Sequence, residues 1–138
     1  MSSFSYKYKD SSVPPPFHRS YSIILINDTI QLSIDSYGDI LAEKEYPLPE
    51  NAFDTIKQLI QEYDISLRKV EVKNDGCTGG TSESISFLGH KEDENFSGRI
   101  YYCGSKQYGT LAGDVKSFST AFKKAFVPDL KEIIRSTK

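Results

Sequence analysis

The segment HRSYSIILINDTIQLSID, residues 18–35, is the most informative about the fold of this chain. Apolar and polar residues alternate along 29–35, and residues 21–26 are rich in Ile, both of which are typical of β-strands. Between them stand Asn27 and Asp28, two residue types that tolerate positive φ and suit a two-residue hairpin turn. The stretch therefore predicts an antiparallel hairpin and a protein built on a sheet.

Further strands are predicted on both sides of this hairpin. Phe4, Tyr6 and Tyr8 alternate with polar residues, and three prolines at 14–16 then form a stiff connector. The same reasoning predicts strands over 39–46, 68–73, 81–88 and 96–103, with a turn at 36–39 and irregular chain over 104–110.

Two segments have helical periodicity. Apolar residues at 53, 56, 59, 60 and 63 predict a helix over about 50–63. Asp114 is a good N-cap for a second helix, and Pro128 either bends that helix or starts another. The order ββββ-α-βββ-α predicts one α+β domain over 1–138. Its mostly antiparallel sheet has six or seven strands, with two amphipathic helices on one face.

Charge and hydropathy exclude some functions. The chain has 17 Lys+Arg and 19 Asp+Glu, a net charge of −2, which argues against a nucleic-acid partner. The densest basic cluster, Lys123, Lys124 and Lys131, is interpreted as a solvated helical face. The longest apolar run, 23–26, is too short to cross a membrane, and the first residues do not form a signal peptide, so we predict a cytoplasmic protein without a membrane partner.

The two cysteines, Cys77 and Cys103, do not form a metal-binding or redox motif. A bridge between them is geometrically possible because their segments could pair. We favour the other interpretation, two reduced thiols in a cytosolic protein.

The glycine-rich stretch at 76–82 is the best candidate for a ligand site. Glycines let backbone amides approach an anion, and hydroxyls add donors, but a phosphate loop would also need a lysine and a following helix. The alternative is a structural glycine turn at a strand entry. The ligand-binding residues that we predict here and on the nearby turns are Cys77, Thr78, Gly79, Gly80, His18 and Tyr37.

Catalytic and metal chemistry have little support in the sequence. A nucleophilic Cys77 would need a base, and the only histidines are His18 and His90, neither of which has the spacing of a metal ligand. The carboxylates fall in turns or on polar faces. We therefore predict no catalytic residue, no metal and no cofactor. The nine tyrosines fit either a binding surface or a small aromatic core.

Three segments resemble a group of small, uncharacterised bacterial proteins. They are the start FSYKY with PPPFH, residues 4–8 and 14–18, and Tyr21; the loop GGT, 79–81; and the sequence FVP, 126–128. The group brings no activity with it, so the resemblance implies no catalytic role for any residue.

Two functions from different classes follow. The first is a non-catalytic protein-interaction domain of an accessory, immunity or inhibitor-like kind, because tyrosines are abundant and no reactive centre is recognisable. The alternative is a small-molecule-binding protein or enzyme whose pocket lies near residues 76–82. We lean towards a protein that is not an enzyme.

Overall fold

The computed structural model describes residues 2–138, which form eight strands, three α-helices and one short 3₁₀ helix, Glu92–Glu94. The strands are β1 (Ser3–Lys9), β2 (Ser20–Ile26), β3 (Thr29–Ser36), β4 (Asp39–Pro47), β5 (Ser66–Val72), β6 (Thr81–Leu88), β7 (Phe96–Cys103) and β8 (Lys106–Ala112). The helices are α1 (Ala52–Glu62), α2 (Val115–Phe126) and α3 (Leu130–Ser136).

All eight strands belong to one sheet with the order β4-β3-β2-β1-β6-β7-β8-β5. Neighbours along the chain pair as antiparallel meanders over β1–β4 and β6–β8. The two meanders meet where β1 pairs with β6, for example at Phe4 opposite Phe87. The predicted α+β class and the antiparallel sheet are confirmed.

The core lies between one face of the sheet and the helices. Strand alternation places Phe4 and Tyr6 of β1, Ile23 of β2, and Ile85 of β6 on this face, where all four are buried. The opposite face carries short polar side chains at the paired positions, namely Ser5, Ser22, Ser33, Ser84 and Ser86. Because one face is apolar and the other polar, a one-residue slip of register would expose the core, so the register is strongly specified.

A side-chain cap begins α2, as the sequence indicates. The Asp114 carboxylate accepts a hydrogen bond from the Ser117 amide at 3.1 Å, which makes it the N-cap of α2. Helix α2 lays Phe118 and Phe122 on the sheet, where both rings lie close to Phe4. Within the described residues 2–138, no helix is long and apolar enough to cross a membrane.

Two predictions about secondary structure are wrong. The segment predicted to be irregular, 104–110, contains most of β8, which makes eight strands instead of six or seven. Its own pattern is weak because Gly109 interrupts it, and pairing with β7 and β5 stabilises it. Residues 2–138 also contain three α-helices where the predicted fold has two; of the two possibilities left open for Pro128, bending the second helix or starting another, the structure has the latter.

Candidate functional site

The loop at residues 74–80 is held together by its own polar groups. The Asn74 side-chain oxygen accepts hydrogen bonds from the amides of Gly76 and Cys77, at 3.0 and 2.8 Å. The Gly80 amide donates to the Tyr101 hydroxyl at 2.9 Å. Three amides that the glycine-rich sequence offers to a ligand are therefore engaged within the protein. A ligand site at Cys77, Thr78, Gly79 and Gly80 stays a prediction.

A disulfide bond joins this loop to the end of β7. Cys77 and Cys103 are bonded, with their Cα atoms 6.3 Å apart. The expectation of two reduced thiols is therefore wrong. A disulfide sulfur has no thiolate to attack a substrate, so in this form Cys77 is a structural residue.

His18 and Tyr37, the other two predicted ligand-binding residues, contact each other. Their rings stack with centroids 3.7 Å apart, and His18 is only 3% exposed. Within residues 2–138, His18 Nδ1 has no hydrogen-bond partner. Tyr37 follows β3 whereas the glycine-rich loop precedes β6, three strand spacings away, roughly 15 Å. The structure thus divides the predicted residues into two separate groups.

The aromatic pair belongs to a corner of the molecule where the proline connector meets the β3–β4 turn. The Tyr37 hydroxyl donates to the Val13 carbonyl at 2.5 Å, and the Ser36 hydroxyl donates to the Pro15 carbonyl at 3.0 Å. Tyr37 has φ +51° and is followed by Gly38 with φ +93°, as in a tight two-residue hairpin turn. These bonds fix the corner as one rigid piece.

This corner exposes large apolar side chains. Phe17 is 64% exposed and Ile40 is 61% exposed, although side chains of this kind are usually buried. Tyr37, in the β3–β4 turn that contacts the connector, and Leu41, next to Ile40 in β4, are also exposed. We call Phe17, Tyr37, Ile40 and Leu41 the corner patch. Singly scattered apolar residues need no explanation, but a group at one place marks a contact surface.

A second polar group, missed in the sequence, lies under α2. Glu83 of β6 is only 5% exposed, and its carboxylate accepts hydrogen bonds from the Tyr6 hydroxyl at 2.5 Å and the Tyr102 hydroxyl at 2.7 Å. The sequence does indicate this burial. Glu83 lies two residues before Ile85 and four before Phe87, so in a strand its side chain points to the same buried face as theirs. The two hydroxyl donors satisfy a carboxylate that would be costly to bury alone.

Burial and the nearby carboxylate shift the titration of the tyrosines in this cluster. Burial raises the pKa of Tyr6 far above its usual value, and the charge of Glu83 raises it further. Burial likewise raises the pKa of Tyr21, with smaller contributions from Tyr8 and Glu83. In both side chains the neutral hydroxyl is the favoured form in the folded protein.

We expect these tyrosines to make the protein sensitive to alkali. The unfolded chain loses their protons above about pH 10, whereas the folded protein retains them, so their contribution is complete below about pH 10 and is lost as the pH rises. Between about pH 10 and 12 the free energy of unfolding should fall by about 1.4 kcal/mol per pH unit for each of Tyr6 and Tyr21. Urea unfolding at several pH values measures this slope.

Tyr6→Phe provides the control for this slope. It removes one titrating group and should make the slope shallower by about 1.4 kcal/mol per pH unit. An unchanged slope in this variant would show that Tyr6 titrates alike in the folded and unfolded states.

Over residues 2–138 the structure contains no cluster of three or more His, Cys, Asp or Glu side chains placed to hold a metal ion. The resemblance to small bacterial proteins stays a prediction. Compared with known proteins, the chain matches no family model, no curated protein and no solved structure.

Proposed function

We propose that this chain is a non-catalytic protein-interaction domain that binds a partner protein through the corner patch. The observation that carries the proposal is the exposure of Phe17, Tyr37, Ile40 and Leu41 at one rigid corner. Aromatic residues are enriched in protein interfaces, and tyrosine is among the residues that contribute most of the binding energy. An accessory, immunity or inhibitor-like role would use such a surface.

Both edge strands of the sheet carry charges, and on β5 these stand between the exposed apolar residues Leu67, Val70 and Val72. The middle of edge strand β4 carries Glu43, Lys44 and Glu45, and edge strand β5 carries Arg68, Lys69 and Glu71. Charged residues on an edge strand discourage another strand from pairing with it. Between Asp39 and this charged stretch, β4 exposes the apolar residues Ile40 and Leu41.

Rigidity also supports binding at this corner. The prolines restrict the backbone, and the hydrogen bond of Tyr37 to Val13 holds the aromatic ring in place before any partner arrives. A surface that is already ordered loses less conformational entropy on association, so more of the contact energy contributes to affinity.

The non-catalytic part of the proposal is supported by the state of Glu83. It is the one buried carboxylate among residues 2–138, and both its oxygens accept hydrogen bonds from tyrosine hydroxyls. A general acid or base must come within hydrogen-bond reach of its substrate. Glu83 instead completes a structural network below α2.

Site-specific photo-crosslinking in the producing cells tests the proposal. A benzophenone amino acid is introduced at Phe17 or at Ile40, and at Val70 as a matched control. Val70 is an exposed apolar residue, 79% exposed, on the opposite edge strand. We expect both corner positions to give an adduct with the same partner, identified by mass spectrometry, and the Val70 position not to give it.

Substitution should then weaken the complex with that partner. We expect Ile40→Asp to weaken it at least about tenfold, because a charge at the centre of an apolar contact is left without compensation. The fold should remain, since Ile40 is exposed, and circular dichroism checks this. Absence of an adduct at both corner positions, or the same adduct at Val70, would refute the assignment of this surface.

A further inference from the structure

A groove between the last two helices has the features of a small-ligand site and lies apart from the corner patch. It has a volume of 420 Å³ and is formed by the end of α2, the start of α3 and Tyr21 of β2. Its apolar lining comes from Val127, Pro128, Leu130 and Ile134. Small-molecule sites in proteins have this range of volume and a mostly apolar lining with a few polar groups.

The polar groups of the groove are cationic. Lys123, Lys124 and Lys131 line it, in a protein whose net charge is −2. In the described part of the chain, 2–138, the one ion pair joins Lys57 to Glu94, so these three ammonium groups have no carboxylate within salt-bridge distance. Of the two carboxylates that flank Lys131 in sequence, Asp129 accepts a hydrogen bond from the Tyr46 hydroxyl at 3.2 Å, and Glu132 is not within salt-bridge distance of a lysine among residues 2–138.

Lys123 is the lysine most closely integrated into the groove. Its ammonium donates to the Tyr21 hydroxyl at 3.0 Å and lies 5.5 Å from the centre of that ring. Burial lowers the pKa of Lys123; the charge of Glu83 opposes this shift and that of Lys131 adds to it. The interpretation of this side chain as part of a solvated helical face is therefore wrong.

The helix dipole favours a positive charge at only two of the three lysine positions. Lys123 and Lys124 stand in the last turn of α2, where the helix dipole favours a cation. Lys131 is the second residue of α3, where the dipole is unfavourable to a cation, and it also repels Lys123. Like charges around an apolar groove are unfavourable in the free protein and would be stabilised by an anion.

We propose that this groove binds a small amphipathic carboxylate, with its carboxylate between Lys123 and Lys131 and its alkyl chain on the apolar lining. The carboxylate would accept charge-assisted hydrogen bonds from the two ammonium groups. The alkyl chain would remove apolar lining from water, which strengthens binding by about fourfold for each fully buried methylene.

Titration of the protein with octanoate, followed by ¹H–¹⁵N NMR spectroscopy, tests the proposal. We expect saturable shifts confined to the amides of residues 120–134 and of Tyr21. Hexanoate should bind several times more weakly, and acetate should not produce these shifts, because they bury less apolar surface. Octylamine, which carries the same tail with a cationic head, should not bind.

Charge variants provide a second readout. Lys131→Gln should weaken octanoate binding at least about tenfold, since a hydrogen bond to a charged group is lost. Lys69→Gln is the matched control, because Lys69 is an exposed lysine on β5 and its loss changes the net charge equally. Amide dispersion in the NMR spectrum confirms that both variants are folded.

Three results would overturn the inference: no shifts in the groove with octanoate, equal binding of octylamine, or equal effects of the two lysine variants. Shifts produced by anionic phospholipid vesicles but not by monomeric octanoate would assign the groove to a membrane surface and would also overturn it. The corner patch shares no residue with the groove, so crosslinking at the corner succeeds or fails independently.

Discussion

Phe122→Ala is expected to lower the free energy of unfolding by about 3–5 kcal/mol. Phe122 is fully buried at the centre of an aromatic cluster, with its ring centroid 5.1 Å from that of Phe4, 5.7 Å from Tyr6 and 5.2 Å from Phe126. Truncation removes these contacts and leaves a cavity between α2 and the sheet that neighbouring strands cannot close. Urea unfolding followed by circular dichroism measures the loss.

Phe17→Ala is the matched control, because the chemical change is identical and the side chain is exposed. Its effect on the free energy of unfolding should be within about 0.5 kcal/mol. The same variant should weaken the complex formed by the corner patch. A loss below about 1 kcal/mol for Phe122→Ala would contradict the position of α2 on the sheet.

Removal of the disulfide is expected to destabilise the protein by about 3.5 kcal/mol. The bridge spans a sequence separation of 26 residues, and a cross-link of that span restricts the unfolded chain by about this amount in the chain-entropy account. The comparison is between the oxidised protein and the double variant Cys77→Ala/Cys103→Ala, by urea unfolding.

A reducing agent supplies the control for the disulfide. It should destabilise the natural sequence by the same amount and leave the double variant unchanged. If the reducing agent has no effect on the natural sequence, the two cysteines are not bonded in the folded protein. If it destabilises the double variant as well, its action does not depend on the bridge.

Local patterns in the sequence predicted much of the sheet and the first two helices. The alternation of Phe4, Tyr6 and Tyr8 correctly indicated β1, and Asn27 adopts φ +56° in the predicted hairpin turn. Asp114 caps α2 as expected. These features succeed because they depend on residues a few positions apart, where side-chain direction and backbone preference act directly.

Features that depend on residues far apart in the sequence were either not predicted or left undecided by the sequence analysis. Strand β8 contains Gly109, whose place in a strand depends on its neighbours β7 and β5. The bond of Cys77 to Cys103 brings two loop ends together across 26 residues, a distance that no local pattern encodes. The pairing of β1 with β6, which joins residue 3 to residue 88, belongs to the same class.

The candidate sites illustrate the same division. The sequence singled out His18 and Tyr37, and the structure stacks them, but it places the glycine-rich loop three strands away. The corner patch and the lysine groove combine residues from separate parts of the chain. Only the fold brings Pro15 of the connector beside the β3–β4 turn, or Tyr21 beside Lys123.

Local patterns in the amino-acid sequence were sufficient for the type of most elements, β8 excepted, for the phase that points apolar side chains inward, and for the turns between adjacent strands. The strand order, the disulfide and the two surfaces proposed for binding depend on the tertiary structure. The physical reason is the sequence separation over which each interaction acts. Dihedral preferences and side-chain periodicity act over a few residues, whereas contacts between distant segments form only when the whole core excludes water.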